Sequence, residues 1–75
     1  MKIDVRDYRV FVEPLAADLG GGFVSYAPDL TGCVSDGETP DEAVHNIYDA
    51  IDCWIDAAIA RGQSVPAPGR VEQRA

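Results

Sequence analysis

The sequence has 75 residues, a formal net charge of −7 and two cysteines. A chain of this length forms one small domain that buries only roughly 60% of the surface its unfolded form exposes, so we expect a homodimer or higher homo-oligomer. The acidic balance argues against direct nucleic-acid binding, which needs clustered Lys and Arg, whereas the six here are scattered. It favours a basic protein partner instead.

From the hydropathy of the sequence, we expect no membrane-spanning segment. No segment approaches the ~20 apolar residues that a membrane span needs, and Met1 is followed by charges rather than the apolar core of a signal peptide. We therefore expect a soluble, cytoplasmic protein with no membrane partner. In that reducing compartment, Cys33 and Cys53 are expected to be small core residues rather than a disulfide.

Three short segments rich in β-branched and aromatic residues predict three strands, at residues 8–13, 23–27 and 33–36. The alternation of Ile3 and Val5 with charged residues allows the first strand to begin earlier.

Turn residues separate these segments. Pro14 ends the first strand, and the glycines at 20–22 supply the free backbone that a reversal needs. Pro28 and Gly32 mark the second reversal, and Gly37 ends the third strand. Short reversals between successive strands predict an antiparallel meander.

A long amphipathic helix is predicted over residues 40–61. Thr39 is a suitable N-cap and Pro40 suits the first helical position. Glu42 completes a capping box by reaching back to the Thr39 amide. Gly62 follows the last turn, as is common at helix C-termini.

Two faces of this helix differ in character. Apolar residues spaced by three and four predict one buried stripe: Ala43, Val44, Ile47, Ala50, Ile51, Trp54, Ile55, Ala58 and Ile59. The opposite side carries an acidic face: Asp41, Asp49, Asp52 and Asp56. Beyond the helix, residues 65–68 should run extended along the sheet edge, where they could add a short fourth strand.

No catalytic set, metal site or cofactor site is predicted. His45 is expected in solvent on the helix flank, two turns from Cys53 and out of hydrogen-bond reach. A Mg²⁺-dependent nuclease would need inward acids on adjacent elements, and only Glu13 and Asp36, at strand ends, are candidates.

The run from residue 21 to residue 43 resembles the HicB family of antitoxins. The resemblance covers nearly all of residues 8–68 and fixes the order and spacing of its motifs over three elements. They are Pro28-Asp29-Leu30, Gly32-Cys33, Asp36-Gly37, Thr39, Pro40, Glu42-Ala43, Gly62 and Pro66-Ala67-Pro68.

The resemblance implies an α+β fold, a β-β-β-α sheet-and-helix core that is a partial ribonuclease-H-like domain. From the length and the short polar C-terminal segment, we expect residues 1–75 to be one domain with its core at 8–68 and a flexible tail at 69–75. The resemblance also implies a non-enzymatic antitoxin that neutralises a small, basic, mRNA-cleaving toxin of the HicA type. Many members carry a C-terminal DNA-binding module, and we expect none here.

The expected contact surfaces are the acidic helix face and the turn around Asp29, so the candidate partner-binding residues are Asp29, Asp49, Asp52 and Asp56. For each of them the alternative is a local role, with Asp29 capping a turn and the helix acids only solvating the helix. Two other functions stay open, an orphan oligomeric domain without a toxin and a Mg²⁺-dependent nuclease.

Overall fold

The computed structural model describes residues 4–69. Three strands form one antiparallel sheet in the order β1 (Phe11–Pro14), β2 (Phe23–Tyr26) and β3 (Val34–Gly37). One helix, α1 (Pro40–Ala60), packs against the sheet. The α+β architecture predicted from the sequence is therefore confirmed. Residues 65–68 form no fourth strand, and none is present elsewhere within residues 4–69.

The segment before β1 differs from the prediction. Val5–Asp7 is a 3-10 helix, so an extension of the first strand through Val5 was wrong. The Asp4 carboxylate accepts a hydrogen bond from the backbone N–H of Arg6 at 2.9 Å, and such local bonds compete with strand pairing. Ile3, the other residue of that prediction, lies outside the described residues. The sheet begins only at Phe11.

Strand register determines which side chains share a face. Val12, Ser25 and Ser35 lie opposite one another across the three strands, and Ser25 is completely buried beneath α1. Successive side chains point to opposite faces, so the next row, Phe11, Tyr26 and Val34, lies on the other face. The single helix covers one face and leaves the other open.

The core lies between the sheet and α1. Three isoleucines of the predicted stripe fill it at four-residue spacing, together with residues from the loops; its buried members are Tyr8, Ala27, Leu30, Cys33, Ile47, Ile51 and Ile55. Ile59, the last residue of the predicted stripe, is exposed, so its place on the buried side was wrong.

The two cysteines have different environments. Cys33 is buried as predicted, but Cys53 is exposed, so its placement in the core was wrong. Cys53 follows Ile51 by two positions, and 100° per residue carries it away from the buried stripe.

Trp54 belongs to the predicted apolar stripe, and its indole N–H needs an acceptor when it is buried. It is half-buried against the core, and its indole N–H donates to the Thr31 carbonyl at 2.9 Å.

The helix start is capped largely as predicted. Thr39 Oγ1 accepts from the Glu42 amide at 3.1 Å. The Glu42 carboxylate, however, accepts from the amide of Glu38 at 2.9 Å instead of that of Thr39, so the second half of the predicted capping box was wrong.

The helix ends at Ala60, one residue earlier than predicted. Gly62 has φ 72° and its N–H donates to Ile59 at 3.0 Å, while the N–H of Gln63 donates to Ala58 at 2.9 Å. These two bonds form a Schellman motif that satisfies the last carbonyls.

Close contact between the end of β3 and the first turn of α1 explains why residue 37 is a glycine. A Cβ atom on Gly37 would lie 2.5 Å from the backbone nitrogen of Ala43. Only glycine lets β3 pass this close to the first turn of α1.

Candidate functional site

The acidic helix face lies on the solvent side of α1. Its residues Asp41, Asp49, Asp52 and Asp56 are all exposed. Asp49 and Asp56 are two turns apart, and Asp52 lies between them, so the three carboxylates form a strip roughly 10 Å long. No Lys or Arg occurs in Pro40–Ala60 to neutralise them.

His45 lies beside this strip in solvent, as predicted. Its Nε2 is 3.5 Å from Asp49 Oδ2, and the two side chains are 76% and 72% exposed. A polar contact this exposed contributes little to stability. Asp49 therefore remains available to a partner.

Asp29, in contrast, is engaged within the chain. Its carboxylate accepts from the backbone N–H of Gly69 at 2.9 Å and from the Arg9 guanidinium at 3.1 Å. The Gly69 amide first, and then Arg9, hold the pKa of Asp29 below its ordinary value. Its side chain is 15% exposed. Of the four candidate binding residues, only Asp29 has a structural partner for each carboxylate oxygen.

The contacts of Asp29 belong to a clasp, which we define as Tyr8, Arg9, Asp29, Pro66 and Gly69. The Tyr8 hydroxyl donates to the carbonyl of Pro66, and Tyr8 itself is buried. Burial raises the pKa of Tyr8, and the nearby Asp29 charge adds to this. The clasp ties the segment after α1 to the start of the chain.

Pro28 and Gly32 shape the two turns that present Asp29. The N–H of Leu30 donates to Ala27 at 3.1 Å and that of Cys33 donates to Leu30 at 3.0 Å. Gly32 has φ 77°, which a type II turn requires at that position. These motif residues therefore have a conformational role.

The sheet face that α1 leaves uncovered, which carries Phe11, Tyr26 and Val34 and which we call the open sheet face, was not predicted as a site from the sequence. Phe11 stacks on Tyr26 with ring centroids 5.3 Å apart and an interplanar angle of 11°. Phe11 is 44% exposed, and Val34, at the end of the same row, is 62% exposed. The Tyr26 hydroxyl donates to Glu13 Oε2 at 3.2 Å. The result is an apolar row across all three strands with carboxylates beside it.

Burial raises the pKa of Tyr26, and the charge of the Glu13 carboxylate and its hydrogen bond raise it further. The phenol therefore stays protonated at neutral pH and acts as a hydrogen-bond donor on this face.

The arrangement of Glu13 and Asp36 bears on nuclease chemistry. Both lie on the open sheet face, but Val24 of the central strand separates them. Two strand spacings put their backbones roughly 10 Å apart. The Glu13 carboxylate also accepts a hydrogen bond from the Tyr26 hydroxyl. The carboxylates of Glu13 and Asp36 therefore do not converge on one Mg²⁺ site. Within residues 4–69 no group of three His, Cys, Asp or Glu could hold a metal.

The buried Cys33 thiol is also a poor candidate for a catalytic nucleophile. Burial raises the pKa of the Cys33 thiol, so at neutral pH it remains in its protonated, weakly nucleophilic form.

In the part of the chain that the structure describes, no helix combines the length and the apolar character needed to cross a membrane.

Comparison with known proteins assigns the family. Residues 8–75 match the model of the HicB-like antitoxin of bacterial toxin–antitoxin systems. The chain is 40% identical over 62 residues to the UPF0150 protein ssr1765 of Synechocystis sp. PCC 6803, covering 83% of this chain and 75% of the relative. It is 33% identical over 61 residues to UPF0150 protein ssl0259 of the same organism, covering 81% and 80% of the two chains. No solved structure matches at a significant level. The chain belongs to the HicB-like antitoxin family of bacterial toxin–antitoxin systems.

Proposed function

We propose that this protein neutralises a small, basic, mRNA-cleaving toxin of the HicA type by binding to it, and that it has no catalytic activity of its own. The observation that carries the proposal is the family match over residues 8–75, which includes the whole sheet and helix.

Charge supports the basic character of the partner. The net charge is −7, and the acidic helix face is exposed with no Lys or Arg in the helix itself. An enzyme that binds RNA presents positive charge to phosphates. An acidic inhibitor is therefore electrostatically complementary to it, and complementarity of this kind accelerates association.

Asp49, Asp52 and Asp56 are proposed to attract the toxin through this field. Asp29 stays a candidate contact, but any toxin contact would compete with Arg9 and Gly69 for its carboxylate. Self-association into a homodimer or a higher oligomer remains part of the proposal, supported by the small size of the domain. A cytoplasmic location is also proposed, since mRNA is the target.

Co-expression tests the function directly. We expect the toxin to be encoded by a small basic reading frame next to this gene. That frame is expressed in a heterologous bacterium until growth stops, and this chain is then induced. Wild-type protein is expected to restore growth. The matched control is Ile51→Asp, which places a charge at a fully buried core position and should abolish folding and rescue. Continued growth arrest with well-expressed wild-type protein would contradict the proposal and favour an orphan domain.

Absence of nuclease activity has its own test. Purified protein is incubated with RNA and Mg²⁺, and no cleavage is expected. Cleavage that Glu13→Gln or Asp36→Asn abolishes would establish the nuclease alternative.

A further inference from the structure

The open sheet face has the composition of a binding surface and nothing within residues 4–69 covers it. We define it by two rows: Phe11, Tyr26 and Val34, and beside them Glu13, Val24 and Asp36. Interfaces commonly place aromatic and aliphatic anchors at the centre and polar groups at the rim.

Rigidity adds to its suitability. Phe11 and Tyr26 stack on adjacent strands, and Glu13 fixes the Tyr26 hydroxyl. A partner that docks on side chains already held in one arrangement loses little conformational entropy. In contrast, the other strongly exposed apolar side chains of the described residues are Leu19 and Ile59. Leu19 ends a second 3-10 helix, Ala17–Leu19, and Ile59 lies near the end of α1.

Charge distinguishes between possible occupants. The only charged residues in the three strands are Glu13 and Asp36, and both lie on the open sheet face. A second copy of the chain docked face to face would place four carboxylates in one interface, two from each copy, with no Lys or Arg of the strands to pair them. Like charges in contact across an interface cost several kcal/mol. A basic partner meets the same two acids with attraction.

We propose that the toxin docks on the open sheet face, with an apolar group on the Phe11–Tyr26–Val34 row and basic side chains against Glu13 and Asp36. This inference rests on the proposed function and names the surface through which it acts. The acidic helix face lies on the opposite side of the molecule, beyond the core. At low salt the Debye length is about 30 Å, so these charges still attract a toxin that approaches the open sheet face, and that face holds the complex together.

The test compares two exposed apolar residues with the same exposure. Val34 on the open sheet face and Ile59 on α1 are each 62% exposed, so serine at either position should leave folding intact. Val34→Ser, Ile59→Ser and Phe11→Ser are purified, and circular dichroism and thermal melting check their folding. Their affinity for the purified product of the adjacent basic reading frame is then measured by surface plasmon resonance, with sedimentation of each variant alone in the same buffer.

We expect Val34→Ser and Phe11→Ser each to weaken binding about tenfold or more, mainly through faster dissociation. Ile59→Ser is expected to stay within about twofold of wild type. If the wild type binds and both sheet variants bind equally well, the docking surface is wrong while the proposed function stands. Sheet variants that lose self-association but keep toxin affinity would assign the face to a second copy instead. No binding of the wild type would overturn the proposed function and this inference with it.

Discussion

Ser25 is an unusual residue for the centre of this core. It is fully buried on the central strand, and its hydroxyl has no hydrogen-bond partner among the described residues. A buried hydroxyl without a partner forfeits the hydrogen bonds that water supplies in the unfolded chain.

We therefore predict that Ser25→Ala raises the free energy of unfolding by about 1 kcal/mol, because it removes that desolvation cost while keeping the backbone. Urea denaturation measures the change. Ser35→Ala, on the adjacent strand and only half-buried, serves as the control and should change stability by less than ~0.5 kcal/mol. A destabilised Ser25→Ala protein would show that the hydroxyl has a stabilising partner.

Asp29 makes stability depend on pH. Its pKa is lower in the folded protein than its ordinary value because the Gly69 amide and then Arg9 favour the charged form. The unfolded chain therefore takes up its proton at higher pH than the folded protein does. The stabilisation is fully present above the ordinary aspartate pKa of ~4 and is lost as pH falls from there through the folded pKa.

We predict that Asp29→Asn is less stable than wild type at pH 7 and that the difference shrinks toward zero below pH ~4. Urea denaturation at a series of pH values measures it. Asp18→Asn, an exposed residue of the second 3-10 helix, should match wild type at pH 7 within ~0.5 kcal/mol. A difference between wild type and Asp29→Asn that is constant with pH would exclude the charge as its cause.

At the scale of the elements, α1 depends on its N-terminal cap. Thr39 Oγ1 accepts from an amide that has no partner within the helix. We predict that Thr39→Ala costs about 1 kcal/mol of unfolding free energy. Thr31→Ala is a matched control, because Trp54 bonds to the Thr31 carbonyl and not to its side chain; it should be near neutral. Equal losses in the two variants by urea denaturation would argue against capping.

The helix was predictable because its signals are local. The cap at Thr39, the stripe through Ile47, Ile51 and Ile55, and Gly62 all lie within or next to one element. The 3-10 helix at Val5–Asp7 was missed because the Asp4 side chain, rather than the alternation of apolar residues, decides the backbone there.

Long-range features could not be predicted in the same way. The clasp joins Tyr8 to Pro66 and Asp29 to Gly69, pairs that lie 58 and 40 residues apart, and no pattern in one segment reports such a contact. Alternation of side chains along a strand places Phe11 on the face opposite Val12. It could not say which face a helix would cover, and so the open sheet face escaped notice.

At the scale of the whole molecule, we expect the distribution of charge to govern the encounter with the proposed toxin. Reversing two acids of the helix face, Asp49→Lys with Asp56→Lys, should slow association about tenfold at low salt, with a smaller effect at high salt. The control reverses two exposed acids elsewhere, Asp7→Lys with Asp18→Lys, for the same change in net charge. Equal slowing in both proteins, measured by stopped flow, would mean that net charge acts rather than the helix face.

The architecture suits the proposed role of covering a toxin surface. One helix supports a three-stranded sheet on one side, and the other side is an apolar and acidic surface with its side chains already in place. The two acids on that surface are directed outward, with Val24 between them. Such a surface can occupy the working face of a basic enzyme without chemistry of its own.

Inhibition of the toxin in a purified system tests this most directly. The product of the adjacent basic reading frame is incubated with mRNA and increasing amounts of this protein, and cleavage is followed on a gel. Cleavage should fall in proportion to the added protein and stop once every toxin molecule is bound. Unchanged cleavage in the presence of a large excess of folded protein would contradict neutralisation by binding.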